Sequence, residues 1–404
     1  MPISEQYLAQ PGARHLGWQV AATTLSRLVM NTARRFVYPY APVFSRTLGV
    51  PLTAITSLIA VNQATGLLSL VFGPLGDRWG YRAMMLAGMA SLTIGMFLGG
   101  LLPIYGVIIV SLLLAGLCKS LFDPALYAYI GDRVPFAQRG RIIGIVEFAW
   151  AGSVLIGIPI AGLLIDRIGW RSPFFVMGGL ALLGLVALSL LVEPGRTGEP
   201  LAAGKPFLAG WRQLTRSRAA MGALAFGFLL SLANDTLFVI YGVWLEQAFA
   251  LEVVALGATA IVIGLAELLG EILTATLADR LTLKRAIIIG LALTVTSYGQ
   301  LPLLAQTLPL ALLGMFLIFL FFEFTVVTGI SLFTELLPQA RGTMLSASVA
   351  SSSLGRVAGA ILGGLVWPAA GLWGICLIAA SGSAVALICL LWGLHRWQPE
   401  LHVR

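Results

Sequence analysis

The chain has 404 residues, of which 58% are hydrophobic and 10% charged, with a mean hydropathy of +0.94. A soluble domain carries about 25% charged residues and cannot hide so much apolar surface, so a cytosolic enzyme, a secreted domain and a disordered chain are excluded. The composition is that of an integral membrane protein, and the net charge of +8 follows membrane topology by its placement, with no nucleic-acid partner expected.

Residues 1–16 are polar and lack a signal-peptide pattern. Span 1 is read over 17–44. Arg27, Asn31, Arg34 and Tyr38 recur along it at the spacing of one helical face, with Arg35 beside the stripe. Two readings stay open here. The arginines form a wall that grips an anionic group, or Arg27 snorkels from the span end while Arg34 and Arg35 pair with acids elsewhere. Span 2 covers 53–75, and the loop after it reads GPLGDRWGYR, Gly73 to Arg82. Span 3 is 83–102 and span 4 is 104–130. Span 4 carries Lys119, Asp123 and Tyr127 on one face, with Pro124 as a kink. Lys119 and Asp123 either neutralise each other or serve a solute. Span 5, at 141–165, holds Glu147, Gly152, Gly157, Pro159 and Gly162, and span 6 is 173–192.

A polar, Pro- and Gly-rich stretch from Glu193 to Arg218 divides the chain. Span 7 (219–246) carries Asn234, Asp235, Thr236 and Tyr241. Spans 8 (253–277) and 9 (285–305) follow, and Glu267 and Glu271 lie one turn apart in span 8. Span 10 (307–334) carries Glu323. Span 11 (343–366) has Gly355, Gly359 and Gly363 as a small-residue stripe suited to helix packing, and span 12 is 370–393. Helices are expected throughout, since barrel strands would alternate over about ten residues.

With both termini inside, 17 Lys and Arg fall on the inside and 3 outside, namely Arg46, Arg167 and Arg171; the other 5 of the 25 lie within spans. That asymmetry places both termini in the cytoplasm. The expected organisation is an N-terminal six-helix bundle over 1–193, a cytoplasmic linker over 194–218 and a C-terminal six-helix bundle over 219–404. The halves repeat at an offset of 202 residues: Asp77-Arg78 meets Asp279-Arg280, Arg82 meets Lys284, and Phe36-Val37 meets Phe238-Val239. Paired six-span repeats are a transporter architecture.

The loop motif resembles motif A of the major facilitator superfamily through Gly73, Asp77, Arg78, Gly80 and Arg82, with Tyr81 departing from it. The second copy keeps Asp279, Arg280 and Lys284. Gly169-Trp170-Arg171-Ser172-Pro173-Phe174 and the span 5 glycines are similar to further motifs of the superfamily and of its drug:proton antiporter branch. The resemblance implies an all-α integral membrane fold of twelve transmembrane helices in two six-helix pseudo-symmetric bundles. It implies a rocker-switch carrier, with spans 1, 4, 7 and 10 lining a cavity and the motif residues acting as a cytoplasmic gate.

Eleven charged residues lie within spans, at a cost on the order of 30 kcal/mol if they faced lipid. They are therefore expected to face water or one another. Solute-binding candidates are Asn31, Arg34, Arg35, Tyr38, Lys119, Asp123, Tyr127, Asn234, Asp235, Tyr241 and Glu323. Proton-coupling candidates are Asp235, Glu323 and Asp123, because desolvation and a neighbouring cation move a carboxyl's proton affinity in opposite directions. Glu147 and Arg356 are read as structural partners.

No nucleotide-binding motif, metal-ligand spacing or cofactor site is present in the sequence. The reading is a secondary transporter, not an enzyme. It moves a small organic solute by proton-coupled efflux, or alternatively carries an organic anion held by the span 1 arginines; a transport-dead membrane sensor is the reading of another class. The expected setting is a bacterial inner membrane, with the lipid bilayer around a monomer and protons as coupling ion.

Overall fold

The computed structural model describes residues 11–72, 79–134, 136–193, 207–277, 281–337 and 341–395, and among these there is no strand. Ten helical stretches are long and apolar enough to cross a membrane. Nine of them carry spans 2 to 10, one each. The tenth, Thr343–Gly393, runs for 51 residues and turns at Gly371, whose φ is 54° and ψ −152°. A straight helix of that length would reach about 76 Å, more than twice a hydrocarbon core, so the turn divides it into spans 11 and 12. The helix Pro11–Arg35 makes the twelfth span; its four arginines and its Gln, Asn, Ser and Thr residues leave it too polar to stand among the ten.

The helices, in chain order, are α1 (Pro11–Arg35), α2 (Ala41–Leu48), α3 (Leu52–Ala64), α4 (Tyr81–Leu101), α5 (Tyr105–Arg133), α6 (Phe136–Gly152), α7 (Ile158–Arg167) and α8 (Ser172–Leu191). After them come α9 (Phe207–Arg216), α10 (Arg218–Phe238), α11 (Tyr241–Phe249), α12 (Val253–Leu277), α13 (Leu283–Leu304), α14 (Leu308–Leu336) and α15 (Arg341–Gly393). Span 1 is therefore not one helix. It breaks over residues 36–40, where Pro39 can donate no backbone hydrogen bond, and continues as α2. Span 7 breaks at Val239 and Ile240, at the offset of the repeat. Span 5 is interrupted by a π-turn over Ser153–Gly157, and the helix resumes at Ile158-Pro159. The stretch read as a linker contains the amphipathic helix α9, whose Leu214 is buried in an apolar cluster with Phe226, Leu332 and Met344.

The chain divides into two compact units. One comprises Met1–Phe36 and Val71–Ala202, the other Val37–Leu70 and Ala203–Arg404. In the first, α4 packs against α5 and α8, and α1 against α6 and α8. Small residues allow the close approach. A Cβ on Gly95 of α4 would fall 2.9 Å from the Ser111 carbonyl oxygen of α5. Gly157 of the π-turn lies against Thr32 of α1. Arg171, after α7, donates to the carbonyls of Gly100 and Leu101 at 2.7 and 2.9 Å and so satisfies the C-terminal end of α4.

In the second unit, α15 lies along α10. Gly355, Gly359 and Gly363 face the backbone at Phe228, Leu232 and Thr236, one glycine per turn. A Cβ on Gly359 would sit 2.5 Å from the Leu232 carbonyl oxygen, and one on Gly363 2.6 Å from that of Thr236. The stripe read from the sequence is thus a helix–helix seam. α3 also packs on α15, with Gly364 against Thr56. Gly242 of α11 faces the Pro39 carbonyl.

Candidate functional site

In the first unit, three helices bring charged side chains to one place. Arg27 of α1 is buried, with 4% of its side chain exposed. Its Nε donates to Asp123 Oδ1 at 3.1 Å, and its Nη1 lies 3.0 Å from Glu147 Oε2 and donates to the Val146 carbonyl at 3.0 Å. Nη2 donates to the Tyr127 hydroxyl at 2.7 Å, and that hydroxyl donates in turn to Glu147 Oε1. On the other side of Asp123, Lys119 Nζ approaches Oδ2 at 2.6 Å. Arg27, Lys119, Asp123 and Glu147 therefore form a neutral group of four charges linked through a phenol. Trp150, one turn beyond Glu147 on α6, lies 4.2 Å from the Arg35 guanidinium carbon and 5.0 Å from Lys119 Nζ, both cation–π distances.

Helix periodicity builds this cluster. Lys119, Asp123 and Tyr127 recur every four residues, so α5 presents all three on one face. Glu147 and Trp150 are three apart on α6. Exposure grades across the group: 14% of the Asp123 side chain is accessible, 27% of Lys119 and 35% of Glu147. Lys119 and Glu147 are its accessible ends, and Arg27 is its buried centre.

The other sequence candidates lie elsewhere or have distinct surroundings. Asn31, on α1, is fully buried and its side-chain amide makes no hydrogen bond among the described residues. Arg34 and Arg35 are buried at the end of α1. Tyr38 leaves the stripe predicted for it, because α1 ends at Arg35. It sits in the turn of the second unit, accepts a hydrogen bond from Gln63 Nε2 at 2.6 Å and packs on Phe238 at 4.6 Å between ring centroids. Asn234 and Asp235 are buried on α10, where a Cβ on Gly359 would lie 3.1 Å from the Asp235 Cβ. Tyr241 is buried and stacks on Phe238 at 5.5 Å. Glu323 of α14 is buried against α12, where a Cβ on Gly270 would fall 2.8 Å from its Cβ. Glu267 is buried on α12 itself.

The structure thus places Lys119, Asp123 and Tyr127 on one face of α5, and brings Arg27, Glu147 and Trp150 to them. Glu147 is the only acid in span 5, which is a signal the sequence does carry. Its partners lie 20 and 120 residues away, however, and no single-helix pattern identifies them.

Of the gate motif, Gly73, Asp77, Arg78, Asp279 and Arg280 lie outside the described residues. Gly80 precedes α4 with φ 86°, a left-handed backbone that favours glycine. Arg82 donates to the Ser189 carbonyl near the end of α8, and its repeat partner Lys284 donates to the Leu394 carbonyl after α15 at 3.2 Å. Each copy of the loop thereby supplies a cation to the end of the sixth span of its half. Beyond the membrane end of span 1, Arg46 pairs with Glu246 at 2.8 Å, and those hydrogen bonds raise its already high pKa.

A family model described as Major Facilitator Superfamily matches residues 23–233. The uncharacterised MFS-type transporter YceJ of Bacillus subtilis (strain 168) is 29% identical over 302 residues, covering 74% of this chain and 76% of that protein. The PmrA homolog of Lactococcus lactis subsp. lactis (strain IL1403), named a multi-drug resistance efflux pump, is 24% identical over 95% of both chains. A bacterial homolog of the human lysosomal transporter Spinster, solved in an inward-facing and unoccupied conformation, superposes with a TM-score of 0.75 at 16% identity. The match covers 97% of this chain and all of that one, a likeness of fold. A model matching more than half the chain, twelve spans and a repeat of half its length agree: this chain belongs to the Major Facilitator Superfamily and is a multi-pass membrane transporter of small molecules.

Proposed function

We propose that the protein is a proton-coupled exporter of a small organic solute. It works as a monomer in a bacterial inner membrane, with both termini in the cytoplasm. The bundles 1–193 and 219–404, joined by the segment 194–218, give access to the solute from one side of the membrane at a time, and the motif residues at 73–82 and 279–284 act as the cytoplasmic gate. Full-length similarity to a multi-drug resistance efflux pump supports export. The observation that carries the coupling is the neutral group of Arg27, Lys119, Asp123 and Glu147, whose accessible ends are one ammonium and one carboxylate. Transporters keep such charges inside the membrane because a proton or solute changes the balance there. Asn31, Arg34, Arg35, Lys119, Asp123 and Tyr127 of the first unit, and Tyr38, Asn234, Asp235, Tyr241 and Glu323 of the second, are the solute-binding residues of this reading. Asp235, Glu323 and the Asp123 group carry protons.

A second reading has its own support. The spans of α1, α5 and α6 carry the cations Arg27, Arg34, Arg35 and Lys119 against the carboxylates Asp123 and Glu147. That excess suits an organic anion. Flux in proteoliposomes under an imposed pH gradient separates the two, with ethidium as lipophilic cation and benzoate as anion. Ethidium counter-transport with protons is the expected result. Gradient-driven benzoate flux without ethidium flux would replace export of cations by anion carriage.

A further inference from the structure

We propose that Glu147, not Asp123, is the carboxylate of this cluster that takes up and releases the coupling proton, with Tyr127 as its positioning residue. The inference rests on the proton-coupled reading above and decides which atom acts within it.

The argument is one of partners. Asp123 lies between two cations, with Arg27 Nε at 3.1 Å from one oxygen and Lys119 Nζ at 2.6 Å from the other. A proton on Asp123 cancels both pairs at once and leaves Lys119 facing Arg27 across a neutral group. Among the described residues, Glu147 has one cation, Arg27, and one neutral donor, Tyr127. A proton on Glu147 cancels a single pair. Arg27 then keeps Asp123, the Val146 carbonyl and the Tyr127 hydroxyl. Accessibility points the same way, at 35% for the Glu147 side chain against 14% for Asp123. Within their spans, the helices α1 and α5 that pack against α6 carry the charged and titratable groups Arg27, Arg34 and Arg35, and Lys119, Asp123 and Tyr127. Among the acids of these helices within the spans, Glu147 is therefore the one that gains a proton with least disturbance of its neighbours.

The mechanism that follows is local. With Glu147 ionised, Arg27 is shared between α5 and α6. With Glu147 protonated, Arg27 keeps its ion pair with Asp123 of α5 and only the neutral Val146 carbonyl contact to α6, and one charged tie between α1 and α6 is gone. Loading a proton thus weakens the hold of α6 on α1.

The test is infrared difference spectroscopy of the purified full-length protein in lipid, titrated between about pH 4 and pH 9, a range that brackets ordinary and strongly shifted carboxyls. Wild type is expected to show a protonated-carboxyl C=O band that Glu147→Gln abolishes and Asp123→Asn keeps. Tyr127→Phe, which removes only the hydroxyl, is expected to move the band without abolishing it, and it serves if Glu147→Gln does not fold. A band lost in Asp123→Asn and kept in Glu147→Gln overturns the proposal, as does a spectrum that neither Glu147→Gln nor Tyr127→Phe alters. Pyranine-loaded proteoliposomes carrying ethidium report coupling separately. A Glu147 band with no proton movement by wild type refutes the coupled reading while leaving the assignment of the titrating group; proton movement by wild type that Glu147→Gln retains refutes the assignment alone.

Discussion

Arg27→Ala removes the centre of the cluster, and its cost can be worked from the contacts. The Arg27 side chain is buried, with 4% exposed, and its guanidinium serves Asp123, Glu147, Tyr127 and the Val146 carbonyl. Deleting one partner of a buried ion pair costs about 3–5 kcal/mol, most of it from the charge left behind. Here two features reduce that. Asp123 retains Lys119 at 2.6 Å, and Glu147, with 35% of its side chain exposed, reaches water. The expected loss is therefore about 3 kcal/mol, at the lower end. In a chain of this size that lowers the melting midpoint by about 3–4 °C. Thermal unfolding of detergent-purified protein reads it directly. The double variant Arg27→Ala/Glu147→Gln is expected to melt higher than Arg27→Ala alone, because the abandoned carboxylate is gone. A single variant within a degree of wild type, with no gain in the double, would refute the idea that Arg27 organises these helices.

The remaining predictions concern other elements. Gly359→Val places side-chain atoms where the α10 backbone lies and is expected to abolish the monodisperse peak in size exclusion, whereas Gly299→Ala, with open space around it, leaves the peak intact and raises helix stability by up to about 1 kcal/mol. Trp150→Leu removes the ring beneath Arg35 and Lys119, and a loss of about 1–2 kcal/mol is expected in the same melting assay. Arg46→Ala breaks an exposed pair, so its effect on melting stays below about 1 kcal/mol and disappears at high salt.

Hydropathy made the spans legible, because a bilayer demands apolar helices of nearly fixed length. The expected segments 83–102 and 253–277 appear as Tyr81–Leu101 and Val253–Leu277. The break at 36–40 was not legible, since its apolar residues continue the hydropathy of span 1 and the single Pro39 in it resembles those that merely kink a helix. Within the site, Lys119, Asp123 and Tyr127 were readable because one helix carries all three. Arg27 at its centre and Glu147 were not, because their meeting depends on how α1, α5 and α6 pack. The glycine seam was readable as a stripe on α15, but its partner α10 was supplied by the fold alone.

The central claim is that the cluster of α1, α5 and α6 handles solute as well as bracing helices. Ligand-induced stabilisation tests it most directly, using ethidium and benzoate at about pH 5.5 and 7.5. A ligand at about a hundred times its dissociation constant stabilises the bound state by about 2.7 kcal/mol. The account predicts that the ligand shift seen in wild type is lost in Lys119→Gln, whose unliganded melting point stays close to wild type because Arg27 still holds Asp123. An equal ligand shift in wild type and Lys119→Gln would contradict it and leave the cluster as a brace.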